Sequence, residues 1–350
     1  MKIIPTFLVQ YMIILGALCV FTSLSRAVLN LPQLPPDVKV SYPDSNPLRD
    51  ALRPVPETAF FSMEGYYLWD PSVIKVGDTY HLFCSRWKVD EKGMEGWRFS
   101  HVIRATSKSL FGPYAFQEVV LHPGSHPWAT RMIHNPKVTK VGEQYLLYHL
   151  GDPGWATGFA FASAITGPWE PVKKPIFKGN NPAILLRDDG SAYAVTKFKP
   201  ERHKDGRWDA YMAAWEAPAI NGPYKRIAEG NRLPGNFELE DPTIWWANDQ
   251  YNVICTDWEA KVTGVEKAPV YYTSNDGVHY TLYSQIPLIE PVPGIKKENG
   301  KFRAIDKFER PEVYLNEQGE VIALLGAVRP AEDIPTYIVI VPVDNFTPEN

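Results

Sequence analysis

The residues best suited to chemistry in this sequence are carboxylates set at or beside prolines. Asp70 stands in "WDPSV", Glu240 and Asp241 in "LEDP", and Glu309 and Glu312 in "ERPEV". Asn135 in "HNPKV" and Asn181 in "NNPAI" hold the same place in related phrases. An Asp or Asn before proline can simply cap a strand entry by bonding its own backbone, and proline is tolerated at a strand's first residue. That account suffices for Asn135 and Asn181. It is less adequate for Asp70 and for Glu240–Asp241, because carboxylates crowded round one point raise each other's pKa and cost stability. Two carboxyl groups across a pocket are what glycoside hydrolysis requires. One donates a proton to the leaving oxygen, and the other activates water or attacks directly. Surroundings that push the two pKa values apart assign the roles. Glu312 should share a strand face with Arg310 by alternation, so an ion pair between them is the competing reading there.

These carboxylates belong to a repeat. "WDPSVIKVGDTYHLF" (69–83) recurs as "HNPKVTKVGEQYLLY" (134–148), "NNPAILLRDDGSAYAV" (180–195), "EDPTIWWANDQYNVI" (240–254) and "ERPEVYLNEQGEVIAL" (309–324). Each copy is a polar residue, a proline, an apolar run, a Gly/Asp/Asn turn and a second apolar run, which is the pattern of a hairpin. Ten residues separate Asp70 from Tyr80, Asn135 from Tyr145 and Asp241 from Tyr251. The first four copies are followed by a second turn phrase, as in "ATSKSLFGPY" and "ASAITGPW". Four strands in each repeat of about 45 to 70 residues predict an all-β, five-bladed β-propeller. The fifth copy has one further run, "YIVIVPV", so the segment 58–69 is expected to supply its last strand and close the ring. The expected organisation is a leader over 1–27, a Pro-rich arm over 28–57 and the propeller over 58–350.

A propeller brings the pre-proline residues and the ends of the partner strands to one rim. Asp70 is then expected with Arg86, Asn135 with His149, Asn181 with Lys197, Asp241 with Asp257, and Glu309 and Arg310 with Arg329. His134 and Glu240 stand one residue further out. Trp87, Trp97 and Trp258 fall in or near the post-strand loops, where they either stack on sugars or pack in the core.

The remaining features bound the setting. Lys2, the apolar run 3–21 and the small residues Ser25 and Ala27 read as a secretory signal peptide, so the mature chain is expected to be secreted or periplasmic, without a membrane segment. Cleavage removes Lys2 and Arg26, which takes the formal charge from −4 to −6 and leaves no nucleic-acid footprint. No Cys/His metal spacing, phosphate loop or nucleophile elbow is present. Cys84 and Cys255 each lie fourteen residues after their pre-proline aspartate, in blades that are not neighbours. Their separation should exceed the roughly 7 Å Cα limit for bridging, which predicts two buried free thiols.

Taken together, "WDPSV", "HNPKV…YLLYHLGD", "NNPAILLRDDGSAY", "EDPTIWW" and "ERPEVYL" resemble the propeller glycosidases of glycoside hydrolase family 43 and its relatives, including family 117. The resemblance spans about residues 60–345. It implies a secreted glycoside hydrolase, exo-acting and inverting, on plant or algal polysaccharide, with Asp70 as general base and Glu240 or Asp241 as acid. It implies no required cofactor, and a channel in which such propellers often hold calcium or water. The sequence departs from family 43 at Asn181, where the family places an aspartate that tunes the acid. Glu309, Glu312, Glu290 and His279 are therefore further candidates for the acid. A non-catalytic glycan-binding propeller and a lyase or phosphorylase on the same scaffold are the alternatives.

Overall fold

The computed structural model describes residues 45–198, 211–227, 238–331 and 334–348. The expected leader and the arm up to residue 44 lie outside the described residues. Each repeat forms a four-stranded antiparallel sheet, and the five sheets make a five-bladed propeller. Blade one runs outward through Tyr66–Val76, Thr79–Lys88, His101–Ser107 and Ala115–Leu121. Blade two comprises Met132–Val141, Gln144–Asp152, Ala156–Ala162 and Glu170–Pro171. Blade three comprises Asn180–Leu186, Ala192–Phe198, Tyr211–Ala217 and Lys225–Arg226. Blade four comprises Leu239–Ala247, Gln250–Asp257, Ala268–Ser274 and Thr281–Ser284.

Blade five is built from both ends of the propeller. Ile305–Leu315, Val321–Pro330 and Tyr337–Phe346 are completed by Phe60–Phe61, which pairs with Val339 and Ile338. Only this short piece of 58–69 closes the ring. A turn at Gly65 (φ 76°), with the Tyr66 N–H donating to the Met63 carbonyl, ends the segment, and Tyr66–Trp69 opens blade one instead. Residues before it also pack on blade five: Leu48 is fully buried, and Leu52 bridges Val343.

One local feature recurs in every innermost strand. The ladder slips at the residue–proline step, between Trp69 and Ser72, His134 and Lys137, Asn180 and Ala183, Glu240 and Thr243, and Glu309 and Glu312. At each bulge the pre-proline residue is left-handed: Asp70, Asn135, Asn181, Asp241 and Arg310 have φ between 51° and 58°. Proline removes the ladder donor, and the bulge absorbs the unpaired residue. The left-handed backbone, costly for residues with a Cβ, sends the five side chains toward the axis.

The sheets pack through tight contacts as well as area. Phe308 is buried against Gly326, where a Cβ would stand 2.1 Å from the ring. Cys84 and Cys255 are fully buried and free, as expected from their blade positions, and burial pushes both thiols up. A thiol-titrating aromatic disulfide should therefore react with neither in the native protein and with both in denaturant. Rapid native reaction at either would contradict this packing.

Candidate functional site

The five inward residues form a closed set of contacts at the hub. Arg310 spans it, pairing through Nε with Asp70 Oδ1 at 3.0 Å and through Nη1 with Asp241 Oδ1. Asn181 donates to Asp241, and the Asn135 side chain touches that of Asn181. The Asn135 amide is assigned with its nitrogen 2.9 Å from Asp70 Oδ1 and its oxygen 2.7 Å from Arg310 Nη1, since the reverse would set its oxygen against the carboxylate. Asp70 Oδ2 lies 3.2 Å from His134 Nε2 and accepts from the Asn135 backbone N–H at 3.2 Å. Thr256 donates to Asp241 Oδ2 at 3.3 Å. Asp70 and Asp241 thus face one cavity, with Lys137 and Glu312 on its wall. Its volume of about 20 Å³ compares with the roughly 10–15 Å³ that one water needs on that measure.

Calcium does not fit this hub. The Arg310 guanidinium occupies the place between the two carboxylates where a cation would stand, and among the described residues no group of three or more His, Cys, Asp or Glu could hold a metal.

Beside the hub, Glu309 is in a different environment from Asp70. It is 5 % exposed, and its Oε1 lacks a hydrogen-bond partner. The nearest ion pair is to Lys307 Nζ at 3.6 Å. Burial and the neighbouring Asp241 push Glu309 up to about 7, against Lys307, Arg310 and Lys267. Burial likewise raises Asp241, with Arg310 opposing.

The other residues chosen from sequence divide into two groups. Glu240 is outside the cavity lining and pairs with Lys197, which also holds Glu238. Glu312 pairs with Lys137 of blade two, not with Arg310, because the bulge rotates Arg310 off the shared strand face. Trp87 is buried, stacking on Tyr67 and lying 6.1 Å from His134, which makes it packing behind the site. The partner-strand ends go elsewhere. Arg86 turns outward onto Tyr66, Phe116 and His101. His149 is buried against His126. Asp257 accepts from the backbone N–H groups of Lys261, Val262 and Thr263, anchoring a loop. Arg329 is half exposed and pairs with Asp306. These strands lie one spacing of about 4.8 Å further from the axis, so these residues diverge from the hub; of the partner-strand residues expected there, Lys197 alone turns toward the innermost strand, pairing with Glu240. His279 sits in an exposed turn with Asp276, and Glu290 pairs with Arg49.

Sequence reasoning missed Lys267, Lys307 and Ser100. Lys267, left-handed at φ 60°, lies 4.5 Å over the Trp258 ring and next to Lys307. No repeat signal marks it. Trp155, 38 % exposed, packs 5.8 Å from Trp97, whose ring is 5.5 Å from His134.

Neither a protein-family profile nor a curated protein matches the chain. Solved structures do resemble it. A thermostable family-43 glycoside hydrolase aligns at 14 % identity and a TM-score of 0.60, covering 85 % of this chain and 98 % of that one. Zg3597, a family 117 glycoside hydrolase of the marine bacterium Zobellia galactanivorans, aligns at 13 % identity and 0.57, covering 84 % and 89 %. A family-43 enzyme from Xanthomonas citri complexed with xylotriose aligns at 15 % identity and 0.58, covering 84 % and 91 %. The fold is the one these hydrolases share.

The Glu309 environment has a thermodynamic consequence. Its folded value of about 7 lies above the ordinary 4.5, so the unfolded chain releases this proton first and stability falls as pH rises through that window. Relative to Glu309→Gln, the wild type should lose about 3 kcal/mol between pH 4.5 and 8 in urea titrations. Equal pH dependence in the two proteins would contradict the raised value.

Proposed function

We propose that the protein is a glycoside hydrolase whose reaction takes place at the propeller hub. The observation that carries this reading is the contrast between two buried carboxyl groups, Asp70 lining the hub cavity and Glu309 next to Asp241 outside that lining. Asp70 is surrounded by donors, while Glu309 is nearly bare and titrates near neutrality. That difference assigns the base to Asp70 and the acid to Glu309. Asp241 raises Glu309 in the way a third carboxylate tunes an acid, so Asn181 need not carry that charge.

The finer points rest on further support. Arg310 blocks the hub, which suits end-on entry of a terminal sugar and hence exo-action. The exposed Trp155 beside Trp97 offers an aromatic surface for the rest of the chain. Inversion and a plant or algal polysaccharide come from the families resembled, and export from the leader over 1–27. The sugar complex of the Xanthomonas citri structure supports carbohydrate as the ligand class.

One observation favours a second reading. Arg310 ties up both Asp70 and Asp241, as a hub built for stability or for glycan binding without turnover would require. A panel of aryl glycosides and oligosaccharides, assayed with wild type, Asp70→Asn and Glu309→Gln, separates the two. Hydrolysis should fall by about 10²-fold or more in either variant. In the wild type, kcat/KM should decline as pH rises past about 7, where Glu309 loses its proton. Saccharide binding without wild-type turnover would establish the second reading.

A further inference from the structure

We propose that Ser100 and His134 are positioning residues that fix the rotamer of the Asp70 carboxylate through a chain of directed hydrogen bonds. This rests on the reading of Asp70 as the general base. Ser100 ends the short helical turn Gly93–Phe99 and is fully buried. Its Oγ lies 2.8 Å from His134 Nδ1 and 3.1 Å from the Ile133 carbonyl. The other ring nitrogen, Nε2, lies 3.2 Å from Asp70 Oδ2. The Trp87 and Trp97 rings, at 6.1 and 5.5 Å, flank the imidazole, which is only 2 % exposed.

Counting protons gives the direction of the chain. Burial pushes the His134 imidazole down to about 4, so at neutral pH it holds one N–H. The Asp70 carboxylate offers only lone pairs toward Nε2, so that hydrogen sits on Nε2. Nδ1 is then an acceptor, and the Ser100 hydroxyl donates to it rather than to the Ile133 carbonyl. The opposite tautomer would point the Nε2 lone pair at a buried carboxylate. His134 and the Asn135 backbone N–H together hold Oδ2, while Arg310 and the Asn135 side-chain amide hold Oδ1, so the carboxylate plane is fixed from both sides. The same three residue types make a nucleophilic triad elsewhere, but here the serine is sealed in the interior and the carboxylate is the working end.

Long-range proton–nitrogen NMR of the imidazoles tests this directly and needs no substrate. His134 should appear as the Nε2–H tautomer, unprotonated above about pH 5. Ser100→Ala should weaken that preference, lower kcat about tenfold with KM little changed and shift the acid limb of the pH profile, and Ser100→Thr should restore all three. An Nδ1–H tautomer in the wild type overturns the proposal whatever the activity, so a Ser100→Ala protein that fails to fold does not shield it. A Ser100→Ala enzyme with the wild-type tautomer and profile also overturns it. If the wild type shows the Nε2–H tautomer yet cleaves no glycoside, the proposed function falls and the chain stands as the anchor of a binding carboxylate.

Discussion

Everything at the hub depends on one backbone conformation, repeated five times: a left-handed residue before a proline at a bulge. Each costs roughly 1–2 kcal/mol relative to ordinary strand, so the surrounding sheets must hold it in place. In return, residues from five distant stretches of chain meet at one point. What arrives there is two carboxylates, two amides and one guanidinium. Arg310 is the member that makes the set tolerable. Without its cation, Asp70 and Asp241 would be like charges sharing a space too small for more than a water or so, and burial without a partner is what makes such charges costly.

The same neutralisation creates an asymmetry one residue away. Arg310 and the two asparagines satisfy Asp70 and Asp241, while Glu309 meets the residual field of Asp241 with little hydrogen bonding of its own. Lys307 stands at 3.6 Å and is itself pushed down by burial and by Lys267, so it only partly offsets that field. Chemistry that moves a proton from one carboxyl and onto another needs such a difference.

The architecture was legible in the sequence because proline marks each repeat and the turn phrases fix the strand count. The free cysteines followed from the same register. At the site, the residues on the innermost strands could be read, since the pre-proline slot defines their direction. Arg310 occupies that slot in "ERPEV", and the repeat alignment already placed it there. The partner-strand residues Arg86, His149, Asp257 and Arg329 could not be read the same way. The bulge shifts the register by a residue, and their strands stand further from the axis, so equal counting does not give equal direction. Lys267 and Ser100 lie in connections outside the repeat, where position follows from loop geometry alone.

The most direct test of the account is a crystal structure of the protein with an oligosaccharide bound. A terminal sugar should be seated over Arg310, with the glycosidic oxygen within hydrogen-bond reach of Glu309 and the opposite face of the ring toward Asp70. A saccharide bound only on the far face of the propeller, or in an outer groove between blades with the hub untouched, would contradict it.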